Sequence, residues 1–385
     1  MRRLTPRAVW LSIALLQLPQ MGVTASSPLP VLPQPIELTF SMQKNLAFSA
    51  AAQEALVKLQ TAMNHRLCMP LTAAGLSGPR PANCIAASQS LRGIAHVLVL
   101  KDGLLHRIYS TNPRLIEQPA SLGSIGKAVL AVPLLAHAGA NPLELWCVQA
   151  YGDFRNANGF RGETDCLVQG AQISAAKAIG TSNNLALIWR VRQFPAASVR
   201  EALVQLGIRN VPDSYHPGIA AALGIVEYSP RQAVECFDAL ISGQATRAAL
   251  VKKATAGASA LAQWCADARH SSRGQHFIDH LLTAAVQPGG TAAALVGNFP
   301  KASGLRAKTG TAANASDLDT GKVVVGSLVR SGHRYTFFVA LLSPSASVPL
   351  APALHLSDLR GLLNLVQLDI GDQSAPVAPK NPWRK

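Results

Sequence analysis

Apolar residues recur with helical spacing from Ala50 to Met63, and the pattern then switches to two β-rich runs. Those runs, Ile94 to Leu100 and Leu104 to Ser110, flank the turn Lys101-Asp102-Gly103 and predict a hairpin. Lys127 to Ala138 is apolar on nearly every side and stops at Gly139. It reads as a buried helix, with Ser124 on its first turn and a kink at Pro133. Ile173 to Ile179 and Leu185 to Val191 predict two short helices joined by a loop that contains Ser182. Further helical segments, punctuated by Pro212, Pro217 and Pro230, continue to about Ala285. Lys322 to Val329 and Tyr335 to Leu342 are β-rich around Arg330-Ser331-Gly332-His333, which predicts a second hairpin. Lys308 falls just before it, on an edge of the same sheet. An amphipathic helix from Leu354 to Leu368 follows. Strands near both ends around a helical middle predict an α+β fold. An antiparallel sheet formed from both chain ends would be flanked by helices and carry an inserted, mostly α-helical lobe, with a cleft between the two.

The ends of the chain read differently. Arg2, Arg3 and Arg7 precede an apolar run from Ala8 to Leu18 and the small residues Val23-Thr24-Ala25, so residues 1–25 are expected to be a secretory signal. Cleavage near Ala25 fits better than an uncleaved anchor, because the run is short of the roughly 20 residues that span a bilayer. Residues 26–35, with Pro28, Pro30, Pro33 and Pro35, read as a linker, 36–370 as the folded domain and 371–385 as a loose tail.

Composition then places the chain. Hydrophobic residues make up 49% and charged ones 14%, enough to bury a large core. Six cysteines follow the leader, and an oxidising compartment would pair them. Neighbour pairing suggests Cys68 with Cys84, Cys147 with Cys166 and Cys236 with Cys265, among fifteen possibilities. No CxxC pair is present, the ten histidines are read as lacking an HxxxH or other ligand spacing, and no metal site or cofactor is expected. The formal charge of +15 becomes +12 without the three leader arginines. Without a dense basic block interleaved with aromatics it does not point to nucleic acid. Cell-wall carboxylates, cell-wall synthesis proteins and anionic membrane surfaces are the partner classes that fit a basic exported chain, beside plain solubility.

Three strings carry the candidate chemistry: Ser124-Ile125-Gly126-Lys127, Ser182-Asn183-Asn184 and Lys308-Thr309-Gly310-Thr311. They are the SxxK, SxN and KTG set of serine acyl-enzymes. SxxK alone is weak, since Ser41 to Lys44 and Ser174 to Lys177 also match, but only Ser124 leaves room for a fold between the motifs. Ser124 is the expected nucleophile and Lys127, one helical turn on, its base. Burial and the charge of Lys308 would lower the pKa of Lys127. Ser182 would relay a proton, Asn184 would hold a peptide backbone, Lys308, Thr309 and Thr311 would bind a carboxylate, and Gly310 would let substrate lie against the strand. The backbone N–H groups of Ser124 and Thr311 are the expected oxyanion donors.

With these motifs the chain resembles the transpeptidase domain of penicillin-binding proteins, over roughly Ile36 to Pro344. Asn158-Gly159-Phe160-Arg161-Gly162 and Ala222-Leu223-Gly224-Ile225-Val226-Glu227-Tyr228-Ser229-Pro230 extend the likeness. The resemblance implies an exported, periplasmic or envelope D,D-transpeptidase that acts on peptidoglycan stem peptides through a Ser124 acyl-enzyme and is acylated by β-lactams. Ala128 stands where many large members have Pro, and no glycosyltransferase region precedes the domain, so a bifunctional synthase is not expected. A D,D-carboxypeptidase, a β-lactamase-like hydrolase and a non-catalytic penicillin-binding sensor remain as alternatives. The absence of an ExxLN string after Ser182 disfavours rapid β-lactam hydrolysis.

Overall fold

The computed structural model describes residues 48–55, 94–148, 171–208, 210–245, 256–313, 319–342 and 355–371. All of them belong to one compact unit, Ser41–Lys385. The leader, the linker, Cys68, Cys84, Cys166, the Asn158 to Gly162 string and the tail beyond Gly371 lie outside the described residues. No helix among the described residues is long and apolar enough to cross a membrane.

Strands β1 (Ile94–Lys101) and β2 (Leu104–Ser110) form the expected hairpin. They join β7 (Ser303–Ala313), β8 (Asp319–Arg330) and β9 (His333–Leu342) in a five-stranded antiparallel sheet ordered β2-β1-β9-β8-β7. Both chain ends therefore contribute, and the central pairing is β1 with β9, Ile94 opposite Leu342 and Lys101 opposite Tyr335. Side chains alternate across the sheet. Lys308, Val325, Phe338 and Leu98 share one row and face the helical lobe.

The lobe begins with Lys127–Ala131, continues as α1 (Val132–His137), and includes α2 (Ala175–Gly180), α3 (Asn184–Val191), α4 (Ala196–Gln205), α5 (Pro217–Leu223), α6 (Pro230–Ser242), α7 (Ala256–His270) and α8 (Ser272–Ala284). α9 (Leu295–Asn298) leads into β7, and α10 (Arg360–Asp369) packs on the far face against β1 and β9. Four short strands, β3 (Ala120–Ser121), β4 (Leu145–Cys147), β5 (Gln172–Ser174) and β6 (Glu227–Tyr228), pair locally, β3 with β6 and β4 with β5. Ile173 is thus in a strand rather than in the expected helix. The helix starts at Ala175 because the Ser174 hydroxyl accepts from the Lys177 N–H and caps it.

α6 is the bridge between lobe and sheet. Ser229 and Gln232 form a capping box with Pro230 in the first turn, and the helix ends at Gly243 in the left-handed conformation. Midway, the buried Asp238 carboxylate accepts from Thr336 at 2.6 Å and from Arg334 at 3.0 and 3.3 Å, fastening α6 to β9. Cys236 and Cys265 form a disulfide between α6 and α7. Cys147 is also oxidised.

Candidate active site

The expected helix from Lys127 is not α-helical at its start. Lys127–Ala131 forms a π-turn in which the Val132 N–H bonds back to the Lys127 carbonyl. Pro133 accounts for the irregularity: it has no N–H for the Val129 carbonyl four residues before it. Both disulfide sulfurs, Cys236 Sγ and Cys265 Sγ, sit against that carbonyl at 3.3 and 3.7 Å. The cystine therefore packs directly on the helix that carries Lys127.

Ahead of this turn, Gly123 has φ +55°, and a Cβ there would lie 1.8 Å from the Thr311 carbonyl. On its other side, a Cβ on Gly224 (φ +71°) would lie 1.7 Å from the Gly123 carbonyl. Only glycine fits at either place, and the pair lets β7, the Ser124 turn and the end of α5 stack backbone on backbone. The string containing Gly224 is thereby a packing partner of the SxxK turn. In this stack the expected oxyanion donors, the N–H groups of Ser124 and Thr311, belong to two juxtaposed backbones.

Ser182 ends α2. Its N–H bonds to the Ile179 carbonyl and that of Asn183 bonds to the Ala178 carbonyl, the crossed pair of a Schellman motif. The left-handed residue of that motif, φ +57°, is Ser182 rather than the usual glycine. Asn183 then caps α3, its Oδ1 accepting from Ala186 N–H at 3.0 Å. Asn184 is the first residue of α3, not part of the loop.

These segments converge on Lys127 Nζ, which lies 2.8 Å from Ser124 Oγ and 2.8 Å from Ser182 Oγ. It also donates to the Ser182 carbonyl at 3.1 Å and to Asn184 Oδ1 at 2.5 Å. Asn184, expected to hold substrate backbone, here holds the lysine. From β7, Lys308 Nζ donates to Ser182 Oγ at 3.1 Å and to the Thr309 carbonyl at 2.7 Å. Lys308 faces the lobe, and a Cβ on Gly310 would lie 2.8 Å from the Leu122 carbonyl, against the Ser124 turn. Lys322, opposite Thr311 on β8, places its ammonium 3.4 Å from the Thr311 hydroxyl. That cation is invisible to motif reading, because only the strand register brings it to the KTG segment.

Both site lysines are completely buried. Burial lowers Lys127 to about 7, since the charged form loses its hydration. Lys308 is held well below the usual lysine range by burial and then by the charges of Lys127 and Lys322. With Lys127 neutral, its two N–H bonds match the two obligate acceptors, the Ser182 carbonyl and Asn184 Oδ1. The remaining lone pair is then available to the Ser124 hydroxyl. Among the described residues no cluster of three or more His, Cys, Asp and Glu side chains is placed to hold a metal ion.

A five-stranded antiparallel sheet with a helical lobe on one face and a third layer on the other is the fold of penicillin-binding transpeptidase domains. The TP domain of Burkholderia pseudomallei penicillin-binding protein 3 superposes with a TM-score of 0.53 at 12% identity, over 88% of this chain and 97% of that one. A peptidoglycan glycosyltransferase from Burkholderia ambifaria gives a TM-score of 0.47 at 14% identity, over 83% of this chain and 96% of that one. No sequence-family model and no curated protein matches the chain.

Proposed function

We propose that this protein is an exported serine D,D-transpeptidase that acts on peptidoglycan stem peptides and is acylated by penicillin. The observation that carries the reading is the position of the Lys127 amine, 2.8 Å from the hydroxyls of both Ser124 and Ser182. One group can then take the nucleophile's proton and return it toward a leaving amine.

In the forward step Ser124 Oγ bonds to the carbonyl carbon of the penultimate D-Ala while its proton passes to Lys127. The tetrahedral oxyanion is received by the Ser124 and Thr311 N–H groups. Its collapse breaks the C–N bond, and the terminal D-Ala amine takes a proton through Ser182. An amine of a second stem peptide then attacks the ester and regenerates Ser124. Lys308 holds Ser182 and supplies positive charge for the substrate carboxylate, together with the Thr309 and Thr311 hydroxyls. Gly310, expected to leave room for substrate, instead lets β7 lie against the Leu122–Ile125 segment, where a Cβ would meet the Leu122 carbonyl at 2.8 Å, and Asn184 exchanges Lys127 for substrate amide once the cleft is filled. The Cys236–Cys265 disulfide supports an oxidising, periplasmic or envelope location.

Labelling with a fluorescent penicillin tests the reading. The wild-type chain should form a covalent adduct that Ser124→Ala lacks, and the adduct should persist for minutes. An adduct lost within seconds would assign a β-lactamase instead, and no Ser124-dependent adduct would leave a non-catalytic module. Cross-linked dimers from purified muropeptides, rather than trimmed monomers, would separate the transpeptidase from a carboxypeptidase.

A further inference from the structure

α8 carries a feature that acyl transfer does not use. Phe277, Ile278, Leu281 and Leu282 bury one face of the helix in the core, whereas His276 and His280 are exposed on the other. The two imidazoles stand one turn apart with ring centroids 4.6 Å from each other. Residues at i and i+4 project from one face, the spacing by which two helical histidines chelate a single zinc ion.

We propose that His276 and His280 form an open, two-imidazole site for a divalent transition ion of the copper, nickel and zinc class. Imidazole nitrogen suits these ions, and water would complete the coordination. The neighbouring charges leave the pair free to bind. Asp279, between the histidines in sequence, is engaged by Arg269 and Arg306 at 2.9 and 3.0 Å. The nearest cation on the helix, Arg273, extends toward Gly139.

The site has a structural consequence. An ion bridging successive turns binds the folded helix and not the unfolded chain, so it stabilises α8. The C-terminal end of that helix abuts Gly180, where a Cβ would meet the Ala284 backbone at 2.9 Å. Just beyond it, the Thr291 N–H bonds to the Gly180 carbonyl at 3.0 Å. α8 thus braces the segment that ends in Ser182, and the ion would clamp that brace from outside.

Calorimetric titration and thermal melts of the full chain with Cu²⁺, Ni²⁺ and Zn²⁺ test the proposal without reference to acyl transfer. The expected result is one ion per chain, tightest for Cu²⁺, with a melting temperature that rises with ion concentration. His276→Gln and His280→Gln should each weaken binding by roughly tenfold or more, and His106→Gln should leave it unchanged. Both substitutions are at exposed positions, so the variants keep the fold. Equal binding in the His276→Gln/His280→Gln double variant, or no ion-dependent heat and no melting shift in the wild-type chain, overturns it.

Discussion

Ser182 presents two oxygens to Lys127, its hydroxyl at 2.8 Å and its carbonyl at 3.1 Å, and it does so from a left-handed backbone with φ +57°. The conformation closes α2 and at the same time turns the residue toward the lysine. Glycine would hold the same turn with less strain but would have no hydroxyl, so the serine is kept at a local cost of about 1 kcal/mol.

That cost is measurable. Ser182→Gly should raise the melting temperature or leave it unchanged while slowing penicillin acylation by roughly 10²–10⁴-fold, the range for losing a proton-transfer group. Ser182→Ala should slow acylation similarly without the stability gain. Stopped-flow acylation and thermal melts separate the two effects, and normal acylation in both variants would remove Ser182 from the proton path.

If Lys127 is the base, acylation should rise with pH through about 7, because a lysine serves as a base only in its free-amine form and burial lowers Lys127 to that value. The rate of β-lactam adduct formation between pH 5.5 and 8.5, read by mass spectrometry on the wild-type chain, checks this.

Stability should also rise over part of the pH scale. The folded-state pKa of Lys127 lies below its unfolded value near 10.4, so between about pH 7 and 10 the unfolded chain holds the extra proton. Raising the pH removes that advantage of the unfolded state, at up to about 1.4 kcal/mol per pH unit for one such group. The contribution disappears as pH falls through 7. Lys127→Met should flatten the rise in chemical denaturation series across that window.

Reducing the Cys236–Cys265 disulfide, which closes a separation of 29 residues, should cost about 2–4 kcal/mol. The sulfurs rest on the Val129 carbonyl, so the Cys236→Ala/Cys265→Ala variant should also acylate more slowly than its stability loss explains. Acylation measured well below the variant's melting temperature provides the check.

Gly224→Ala and Gly332→Ala form a matched pair, with φ +71° and +77°. At Gly332 nothing lies within 4 Å of the added carbon, so the cost should be the left-handed penalty of about 1–2 kcal/mol. At Gly224 the carbon meets the Gly123 carbonyl at 1.7 Å, and the loss should be several-fold larger by denaturant unfolding. Equal losses would show that the stack of β7, Ser124 turn and α5 is not tightly held.

The hairpins, the lobe and the three motif strings were legible in the sequence because each rests on local rules: strand alternation around Asp102-Gly103, helical periodicity, and fixed residue types at Ser124, Ser182 and Lys308. What escaped depends on distant partners. Ile173 has helical neighbours yet pairs with Trp146, which no local pattern reveals. Asn184 reads as a ligand for substrate until the fold brings Lys127 to it. Lys322 enters the site only through its register opposite Thr311. His276 and His280 did carry a local signal, an HxxxH spacing, which corrects the expectation that the histidines lack ligand spacing. Gly224 is visible as part of a family-like string, but its reason, the Gly123 carbonyl against it, is a contact across the fold.

The pairing of β1 with β9 also sets a timetable. During synthesis the hairpin of β1 and β2 emerges early with one edge open, and the strand that closes it, His333–Leu342, emerges among the last described segments. Until then β8 has no inner neighbour and Lys308 has no finished sheet to hold it. Assembly of the site is therefore a late, non-local event with a slow intrinsic rate, and the waiting hairpin edge is the surface that a holding chaperone would need to cover.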